Sequence, residues 1–175
     1  MNPFQYTRAL THQSAIEAIA KPGTKIIAGG TNLVDLMKRG VTAPDKLVDI
    51  NNLPLKSITV NKLGHLHIGA LALNSTVSES SLVLEQQPLL AMALKAGASP
   101  QLRNMATVGG NMMQRTRCPY FYDTTMPCNK RVPCSCCGSI GNYNSMHPIF
   151  DTSDKYIAVH RRGMCVALSA LDAQV

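Results

Sequence analysis

The sequence contains no tryptophan, and aromatic residues make up only 5% of its 175 residues. Nucleic-acid bases stack on aromatic side chains, so the chain has little from which to build such a platform. Acidic residues are also few, because 10 Asp and Glu stand against 17 Lys and Arg and leave a formal net charge of +7. Such a charge suits nucleic acid, membrane surfaces or acidic partners. A solvated basic face explains most of the individual lysines, and we expect no nucleic-acid partner.

Long apolar runs are missing as well. No segment approaches the roughly 18 consecutive apolar residues that a membrane-spanning helix requires. The first residues, Met1–Tyr6, lack the charged region followed by an apolar region that marks a signal peptide. Hydrophobic residues nevertheless make up 45% of the chain, which is ample for a packed core. We therefore expect a globular chain with no membrane partner and no signal peptide of its own.

The local patterns mix strands and helices. Alternation of Phe4, Tyr6 and Arg8 with Gln5 and Thr7 predicts a strand at 4–8. Apolar runs between turn residues predict further strands at 25–28, 46–50, 55–60, 66–70, 156–160 and 164–171. Helical spacing predicts helices near Ser14, Leu33, Asn74 and Pro88. The first would follow a capping box at Ser14–Glu17, with Ile16 and Ile19 facing inward, and the last would be mostly buried. We assign three methionines to gap-filling positions in the core: Met105, Met112 and Met113.

The stretch from Arg103 to Cys137 combines bare backbone with positive charge. Its adjacent glycines, Gly109 and Gly110, lack Cβ atoms and are expected to leave consecutive backbone N–H groups free. The stretch has one acidic residue, Asp123. It has five basic residues: Arg103, Arg115, Arg117, Lys130 and Arg131. This combination suits a ligand that carries phosphate or iron.

A second pair of glycines, Gly29 and Gly30, follows a predicted strand and precedes a helix that Thr31 or Asn32 can cap. Backbone N–H groups at such a position favour an anion. A lone glycine pair is better explained as a tight turn, but two separated pairs can hold a dinucleotide pyrophosphate from two sides. The order is not G-x-G-x-x-G, so the pattern does not predict the fingerprint of the dinucleotide-binding fold.

These two motifs carry a resemblance to a known family. Ile26-Ile-Ala-Gly-Gly-Thr-Asn-Leu33 and Arg103-Asn-Met-Ala-Thr-Val-Gly-Gly-Asn111 resemble the FAD-binding signatures of the flavin subunit of molybdenum hydroxylases, the xanthine dehydrogenase and aldehyde oxidoreductase family. Two motifs in the family's order are far more specific than one glycine loop. The resemblance implies an α+β, two-lobed FAD-binding domain of the molybdopterin dehydrogenase (PCMH, vanillyl-alcohol oxidase-like) type. Its lobes would be 1–52 and 53–175, with FAD between them.

The resemblance also implies a set of cofactor-binding residues. They are Ile26, Ile27, Ala28, Gly29, Gly30, Thr31, Asn32, Leu33, Val34, Ser75, Thr76, Thr107, Gly109, Gly110, Asn111, Gln114 and Asp123. From the residues alone, Ser75 and Thr76 are equally good helix caps. In the family an acidic residue commonly precedes the position of Met164 and helps to set the flavin ring. This chain has Gly163 there, which implies weaker flavin affinity or a shifted potential.

The six cysteines follow no common metal-binding spacing. There is no C-x2-C pair, so zinc-ribbon and bacterial ferredoxin patterns are absent. A disulfide framework is disfavoured by the length of the chain and the missing signal peptide. The stretch Gln114–Arg131 resembles the family branch, typified by periplasmic aldehyde oxidoreductases, whose flavin subunit carries an extra iron–sulfur cluster. This likeness implies a [4Fe-4S] cluster in an insertion at 115–147, with three ligands: Cys118, Cys128 and Cys137.

The likeness is incomplete at the fourth ligand of the cluster. Tyr156 stands where the family has a cysteine, and a four-iron cluster normally takes four thiolates. The candidates for the missing ligand are Cys134, Cys136, Cys165 and His147.

Together these features imply an FAD-binding electron-transfer subunit of a molybdenum-containing aldehyde or xanthine oxidoreductase. Its partners would be a large subunit with the molybdenum cofactor and a small subunit with [2Fe-2S] clusters. It would lie in the cytoplasm, or in the periplasm after co-export. Two alternatives stay open: a zinc-binding module whose arginines contact nucleic acid, and a stand-alone FAD oxidase. Family subunits continue beyond this length, so we expect a truncated chain that exposes apolar surface and a sheet edge.

Overall fold

The computed structural model describes residues 1–149, 152–159 and 163–175. The chain divides into two compact units, which we call the cysteine unit and the glycine-loop unit. The cysteine unit consists of Met1–Asn2, Val34–Ala43 and Arg115–Arg161, and the glycine-loop unit consists of Pro3–Leu33, Pro44–Gln114 and Arg162–Val175. In the part of the chain that the structure describes, no helix is long and apolar enough to cross a membrane.

Strands and helices both occur, which confirms the predicted α+β class. In chain order the elements are β1 (Gln5–Arg8), α1 (His12–Ile19), β2 (Thr24–Ile27), α2 (Leu33–Lys38), β3 (Lys46–Asp49), β4 (Ile58–Val60), β5 (Leu66–Ile68), α3 (Asn74–Glu79), α4 (Ser81–Gln86), α5 (Pro88–Gly97), α6 (Pro100–Arg103), α7 (Val108–Met112), α8 (Pro119–Tyr122) and α9 (Gly163–Ala170). The first five predicted strands are therefore confirmed: four of them are shorter than predicted, and β2 begins and ends one residue earlier.

The glycine-loop unit begins with a parallel three-stranded sheet in the order β1-β3-β2. The central strand β3 buries Leu47, Val48 and Asp49. The register pairs both Arg8 and Ile27 with Asp49. Because parallel strands end at the same edge of a sheet, the first glycine pair, which follows β2, emerges beside Asp49.

Helix α1 begins earlier than its capping pattern predicted. Its N-cap is Thr11, whose Oγ1 accepts a hydrogen bond from the Ser14 N–H at 3.1 Å, and the Thr11 N–H donates to Ser14 Oγ at 3.2 Å. Ser14 therefore closes the capping box and does not open it. This shift turns the helix, so Ala15 is buried and Ile16 is 61% exposed. The prediction that Ile16 and Ile19 face inward is wrong.

The rest of the glycine-loop unit consists of the antiparallel hairpin β4–β5 and a layer of helices. Its core is formed by Val77, Val83, Leu90, Leu94 and Met164. Leu90 and Leu94 are four residues apart on α5 and point to this core, whereas Leu89 and Met92 are exposed. Helix α5 is therefore buried on one face only, and not over most of its surface as the sequence predicted.

The predicted last two strands are wrong. Residues 164–170 belong to helix α9, whose buried residues Met164 and Ala167 lie one turn apart, and residue 171 lies in the turn that follows. A short, continuously apolar run has no periodicity to separate a buried strand from a buried helix. Tyr156 forms only an isolated bridge with Ser153, and residues 157–159 have no strand pairing. Residue 160, the last of that predicted strand, lies outside the described residues.

The assignment of methionines to the core holds for Met112, which packs against the apolar cluster of the glycine-loop unit. It is wrong for Met105 and Met113, which are both exposed. Met105 lies in the turn between α6 and α7, where its backbone makes the close contact described below. Met113 follows the end of α7, so its side chain has no neighbouring helical turn to pack on.

The cysteine unit has a small core of its own. Leu36 of α2, Phe121 of α8 and Ala158 pack there with the side chains of Cys118 and Cys128. Most of the remaining described residues of the unit form turns and loops. Its cysteines therefore lie on irregular backbone around a minimal apolar centre.

Candidate functional site

The two glycine motifs touch each other inside the glycine-loop unit. A Cβ atom at Gly29 would lie 1.8 Å from the carbonyl oxygen of Met105 and 2.8 Å from its carbonyl carbon. Only glycine permits so close an approach of two backbones. Gly30 has φ of +71°, in the left-handed region that favours glycine. The first motif thus needs Gly29 for space and Gly30 for conformation, and it lies against the loop that leads into the second.

The backbone N–H groups of the second motif are already used within the protein. The Val108 N–H donates to the Ala72 carbonyl at 2.9 Å, and the Gly109 N–H donates to the Ala70 carbonyl at 2.8 Å. The Gly110 N–H donates to Thr107 Oγ1 at 3.1 Å, because Thr107 is the N-cap of α7. The prediction that the glycines at 109 and 110 leave consecutive N–H groups free is therefore wrong.

Close packing explains the glycines of the second motif instead. A Cβ at Gly109 would lie 3.1 Å from both the Cβ and the carbonyl oxygen of Ala70, and a Cβ at Gly110 would lie 2.9 Å from Thr107 Oγ1. Thr107 itself is buried. The second motif thus provides a compact backbone surface and not a nest of free donors.

The backbone N–H groups of the first motif differ from those of the second in their hydrogen bonding. Among the hydrogen bonds of the described residues, none uses the backbone N–H of Gly29, Gly30 or Thr31. The backbone here turns from β2 into α2 through the left-handed Gly30. Consecutive N–H groups in such a turn form a concavity that suits an anion. The first motif is therefore the part of the pair that retains donors for a phosphate.

A network of polar side chains holds the backbone just before the first motif. Asn51 Nδ2 donates to the carbonyl of Ala28 at 3.1 Å and to Asp49 Oδ1 at 2.7 Å. The other carboxylate oxygen of Asp49 accepts from Tyr6 Oη at 2.5 Å and from Arg8 Nε at 3.0 Å. The residue immediately before Gly29 is thus tied to the end of the central strand. Sequence reasoning missed the role of Asn51, although its place just after a buried strand was a usable signal.

Asp49 is buried, with only 4% of the residue exposed. Burial alone would raise its pKa, but the hydrogen bonds from Tyr6, Asn51 and Arg8 outweigh burial and lower the pKa to about 2. Asp49 is therefore ionised at neutral pH and can hold its donors firmly.

Helix α3 adjoins the second motif, because the Asn74 N–H donates to the Ala106 carbonyl at 2.9 Å. Its N-cap is Leu73, so Ser75 and Thr76 do not cap the helix. Ser75 is half-buried and Thr76 is exposed. Asn74 is buried, and its Oδ1 has no hydrogen-bond partner within the described ranges. The sequence analysis did not single out Asn74, which comes just before the predicted residues Ser75 and Thr76.

The other predicted cofactor residues are spread over both units. Ile26 and Ile27 end β2, Ala28 follows them, and Leu33 begins α2. Asn111 and Gln114 are half-buried and joined by a 2.6 Å bond from Gln114 Nε2 to Asn111 Oδ1. Two more predicted residues, Val34 and Asp123, belong to the cysteine unit. Asp123 is exposed, and its carboxylate accepts from the Thr125 N–H and hydroxyl, which lower its pKa.

Several of the predicted cationic residues donate hydrogen bonds to backbone carbonyls. Arg103 Nη1 donates to the carbonyls of Lys95 and Ala98. Arg115 Nη2 donates to the Lys130 carbonyl at 2.5 Å. Arg131 donates to three carbonyls, those of Tyr120, Phe121 and Met126. These guanidinium groups fix loops, so the stretch offers less open positive charge than its sequence suggested.

Three cysteines lie close together in the cysteine unit. Cys128 and Cys137 pair through an isolated antiparallel bridge, and Cys118 and Cys128 are buried in the same apolar cluster. Burial is the main cause that raises the pKa of the Cys118 thiol, and the charges of Cys128 and Cys137 raise it further. These are the three cysteines that the sequence predicted as cluster ligands.

Hydrogen-bond donors surround the sulfur of Cys137. Burial would raise its pKa, but donation from the Ser139 hydroxyl and from the backbone of Ile157, Ser139 and Ile140 lowers it. The Ser139 hydroxyl lies 3.0 Å from the sulfur. Donors of this kind stabilise a thiolate over a thiol. The backbone of Phe121 and Tyr120 acts in the same direction on Cys118.

The four candidates for a further ligand differ in position. Nε2 of His147 lies 3.1 Å from the sulfur of Cys118. Cys134 and Cys136 are exposed and have φ of +64° and +67°. Cys165 is on α9 and packs against the apolar cluster of the glycine-loop unit. Within residues 1–149, 152–159 and 163–175, no group of three or more His, Cys, Asp or Glu side chains is placed to hold a metal ion.

Comparisons with known proteins bear on both parts of the site. Residues 2–175 match the family described as "FAD binding domain in molybdopterin dehydrogenase". The aldehyde oxidoreductase FAD-binding subunit PaoB of Escherichia coli strain K12 is 47% identical over 100% of this chain and 55% of its own length. The xanthine dehydrogenase FAD-binding subunit of Escherichia coli O157:H7 is 37% identical over 61% of this chain and 37% of its own length.

The fold comparison agrees with the sequence comparison. A structure of the carbon monoxide dehydrogenase from Hydrogenophaga pseudoflava, in a form that lacks the Mo-pyranopterin moiety, superposes with a TM-score of 0.61. The two chains are 33% identical, and the match covers 64% of this chain and 40% of the other. This chain spans about half the length of PaoB, at 55%, and less of the other relatives.

Proposed function

Because the chain belongs to the family of FAD-binding domains in molybdopterin dehydrogenases, we propose that it holds the FAD of a molybdenum-containing oxidoreductase and passes electrons through this flavin. The family match confirms the resemblance that the two glycine motifs predicted. The observation that carries the proposal is the contact between Gly29 and the Met105 carbonyl, which joins the two motifs. The protein's part is to bind and orient the cofactor, and FAD supplies the electron-transfer chemistry when bound.

The backbone of the glycine-loop unit fits FAD. We assign the pyrophosphate to the first motif, where the N–H groups of Gly29, Gly30 and Thr31 have no partner among the described residues. The second motif would contribute shape, because its N–H groups are engaged. The side chains of Asn111 and Gln114 would supply polar contacts beside it. The contributions of Ser75, Thr76, Val34 and Asp123 remain predictions from the resemblance.

The cysteine unit carries a second proposal, a [4Fe-4S] cluster on Cys118, Cys128 and Cys137. Its support is the neighbourhood of the three thiols together with the backbone donors at Cys118 and Cys137. Hydrogen bonds to cluster sulfurs are a recurring feature of such sites.

The proposed partners are those that the family resemblance implies. We propose a large molybdenum-binding subunit that oxidises the substrate and a small iron–sulfur subunit that delivers electrons to this flavin. The substrate class would be aldehydes, since the relative that matches the whole chain is an aldehyde oxidoreductase subunit. The nucleic-acid alternative gains no support from Arg103, Arg115 and Arg131, because their guanidinium groups bind backbone carbonyls.

The test is a visible absorption spectrum of the intact protein, recorded without oxygen and followed by acid release of any flavin. We expect FAD, and no bleaching when an aldehyde is added in the absence of partner subunits. Bleaching by aldehyde alone would mean a stand-alone oxidase. A protein that stays colourless after incubation with FAD would overturn the flavin assignment, and zinc in such a protein would favour the binding-module alternative.

A further inference from the structure

Cys128 and Cys137 lie opposite each other in an isolated antiparallel bridge. The Gly138 N–H donates to the Pro127 carbonyl at 2.9 Å, and this bond flanks the pair on one side. The Cys128 N–H donates to Ser135 Oγ at 3.1 Å instead of to the opposite residue. In the part of the chain that the structure describes, no backbone hydrogen bond joins the two cysteines directly. They are therefore a non-hydrogen-bonded pair of the antiparallel bridge.

Non-hydrogen-bonded positions bring two opposite residues closest together. The Cα atoms of such a pair lie about 4.5 Å apart, and the two side chains share one face. A disulfide requires a Cα separation of about 4.4 to 6.8 Å. Cys128 and Cys137 are both free thiols in the structure. Their backbone pairing thus meets the requirement for a disulfide at its short end, where strain makes the bond easier to reduce.

The loop between the two cysteines is closed by its own hydrogen bonds. The Cys128 carbonyl accepts from the N–H groups of Arg131 and Val132 at 3.0 and 2.9 Å. Ser135 Oγ, which accepts from the Cys128 N–H, lies 2.7 Å from the Val132 carbonyl and donates to it. The loop therefore holds its ends together before a covalent bond forms, so that closing the disulfide costs little further backbone entropy.

The other thiols of the cysteine unit are placed less well for this bond. Cys118 shares an apolar cluster with Cys128, but its sulfur makes a hydrogen bond of 3.1 Å with Nε2 of His147. No isolated bridge among the described residues pairs the backbone of Cys118 with another cysteine. Cys134 and Cys136 are exposed, and neither takes part in such a bridge within the described ranges.

We infer that Cys128 and Cys137 form a reversible cross-strand disulfide in protein that holds no cluster. The oxidant is a small-molecule disulfide such as oxidised glutathione. Cys137 is the less buried of the two, so its thiolate attacks a sulfur of the oxidant and releases one thiol. The Cys128 thiolate then attacks the resulting mixed disulfide at Cys137 and releases the second thiol. The protein loses two protons and two electrons, and the oxidant becomes two thiols.

The disulfide has a consequence for iron uptake. Cys128 and Cys137 are two of the three ligands proposed for the cluster, and a sulfur in a disulfide is no longer a thiolate that can bind iron. Oxidised protein should therefore take up iron only after reduction. This consequence rests on the cluster proposed above, whereas the disulfide itself does not.

The test oxidises the intact, iron-free protein with oxidised glutathione, alkylates the remaining thiols and identifies the linked peptides by mass spectrometry. Trypsin cleaves after Lys130 and Arg131, so Cys128 and Cys137 fall in separate peptides that only a disulfide can join. Fragment spectra distinguish them from the other cysteines of the two peptides. We expect a link between Cys128 and Cys137 that dithiothreitol reverses.

Variants with a single thiol removed provide the controls. Cys128→Ser and Cys137→Ser should each abolish the link, whereas Cys118→Ser should retain it. Unmutated protein in which both cysteines stay open to alkylation, or in which the disulfide joins other cysteines, overturns the inference, and this measurement needs no variant that folds.

Iron and flavin measured on the same samples separate this inference from the proposed function. Iron uptake that is lost on oxidation and restored by dithiothreitol supports the consequence, and equal uptake before and after reduction overturns it. If the reduced protein takes up no iron although the link between Cys128 and Cys137 forms, the cluster proposal falls and the disulfide stands. Absence of FAD from protein that forms the link overturns the flavin assignment alone.

Discussion

The carbonyl of Met105 occupies the space that a side chain at Gly29 would need. The separation of 1.8 Å between that oxygen and a Cβ at Gly29 is far below any normal contact. Gly29 belongs to the first motif and Met105 leads into the second, so a side chain at residue 29 would push the two loops apart. A cofactor that rests on one motif therefore depends on the packing of both.

Replacement of Gly29 by Ala should separate the two motifs. We expect a loss of about 1–3 kcal/mol in the free energy of unfolding, as for other overpacked sites, together with a lower FAD content. Gly97→Ala is the matched control, because a Cβ there meets no atom within 4 Å. Denaturant unfolding and the flavin-to-protein ratio of both variants provide the measurement. Equal flavin content in the two variants would show that the motif contact is not needed for FAD.

Loss of the Asn51 side chain should weaken FAD binding even if Asn51 does not touch the cofactor. Asn51→Ala removes the hydrogen bonds to the Ala28 carbonyl and to Asp49, which position the residue before Gly29. One such bond is worth about 1 kcal/mol, so the dissociation constant of FAD should rise on the order of tenfold. Flavin fluorescence titration measures this, with the exposed neighbour Asn52→Ala as control. The same shift in both variants would contradict a positioning role.

Asp49 should make the free energy of unfolding depend on pH in the acidic range. Its pKa in the folded protein is about 2, whereas an aspartate in an unfolded chain has about 3.9. A carboxyl whose pKa is lowered by folding stabilises the protein above the unfolded value, and this contribution disappears as the pH falls through the folded value. The full contribution corresponds to about 2–3 kcal/mol at neutral pH.

The comparison with Asp49→Asn isolates this contribution. The difference in unfolding free energy between the unmutated protein and the variant should fall by about 1 kcal/mol between about pH 6 and about pH 3. Urea unfolding at the two pH values measures it. A difference that does not change with pH would assign the effect to packing and not to the carboxylate.

Thr107 should contribute to stability as a helix cap. Its Oγ1 accepts the Gly110 N–H at 3.1 Å, and the residue is buried. Thr107→Ala should cost about 1 kcal/mol, the usual effect of losing an N-cap oxygen, and Thr107→Ser should retain most of the stability. Thermal unfolding of the two variants decides the matter, and equal destabilisation would point to the lost methyl group instead.

Much of the glycine-loop unit was predictable because its signals are local. The strand that becomes β1 has alternating residues, and those that become β2 and β3 are short apolar runs next to turn residues. Gly29 and Gly30 could be recognised because close packing and a positive φ both favour glycine. The state of the N–H groups at Gly109 and Gly110 was not predictable, since their neighbours Ala70 and Thr107 come from a distant hairpin and from the cap of α7. Helix α9 was mistaken for a strand because its uniformly apolar sequence has no period to read.

In the cysteine unit, too, some features could be predicted from the sequence and others could not. The family resemblance predicted Cys118, Cys128 and Cys137 as ligands, and the structure places Cys128 beside both of the others. Four candidates for a further ligand could not be ranked from the sequence, because side chains on irregular loops have no periodicity that fixes their direction. The position of His147 depends on the hydrogen bonds of Asn144 and Ser139, which no local pattern announces.

Arg131 provides a way to disturb the cysteine unit alone. Its guanidinium donates to the carbonyls of Tyr120 and Phe121 at 2.9 and 2.8 Å and also to that of Met126, so it holds α8 and the loop before Cys128 together. Arg131→Met keeps much of the apolar stem and removes these donors, leaving half-buried carbonyls without partners. We expect faster hydrogen exchange in α8 and a lower iron content after reconstitution, with FAD content unchanged.

Arg117→Met is the matched control for this variant. Arg117 is exposed in the same unit, and its side chain makes no hydrogen bond or ion pair with any residue that the structure describes. The measured quantity is the ratio of iron to flavin, which separates damage to the cysteine unit from general unfolding. A parallel fall in iron and flavin in Arg131→Met would mean that the two units lose structure together. An unchanged ratio with normal exchange in α8 would show that the three carbonyl bonds do not hold the cluster loop.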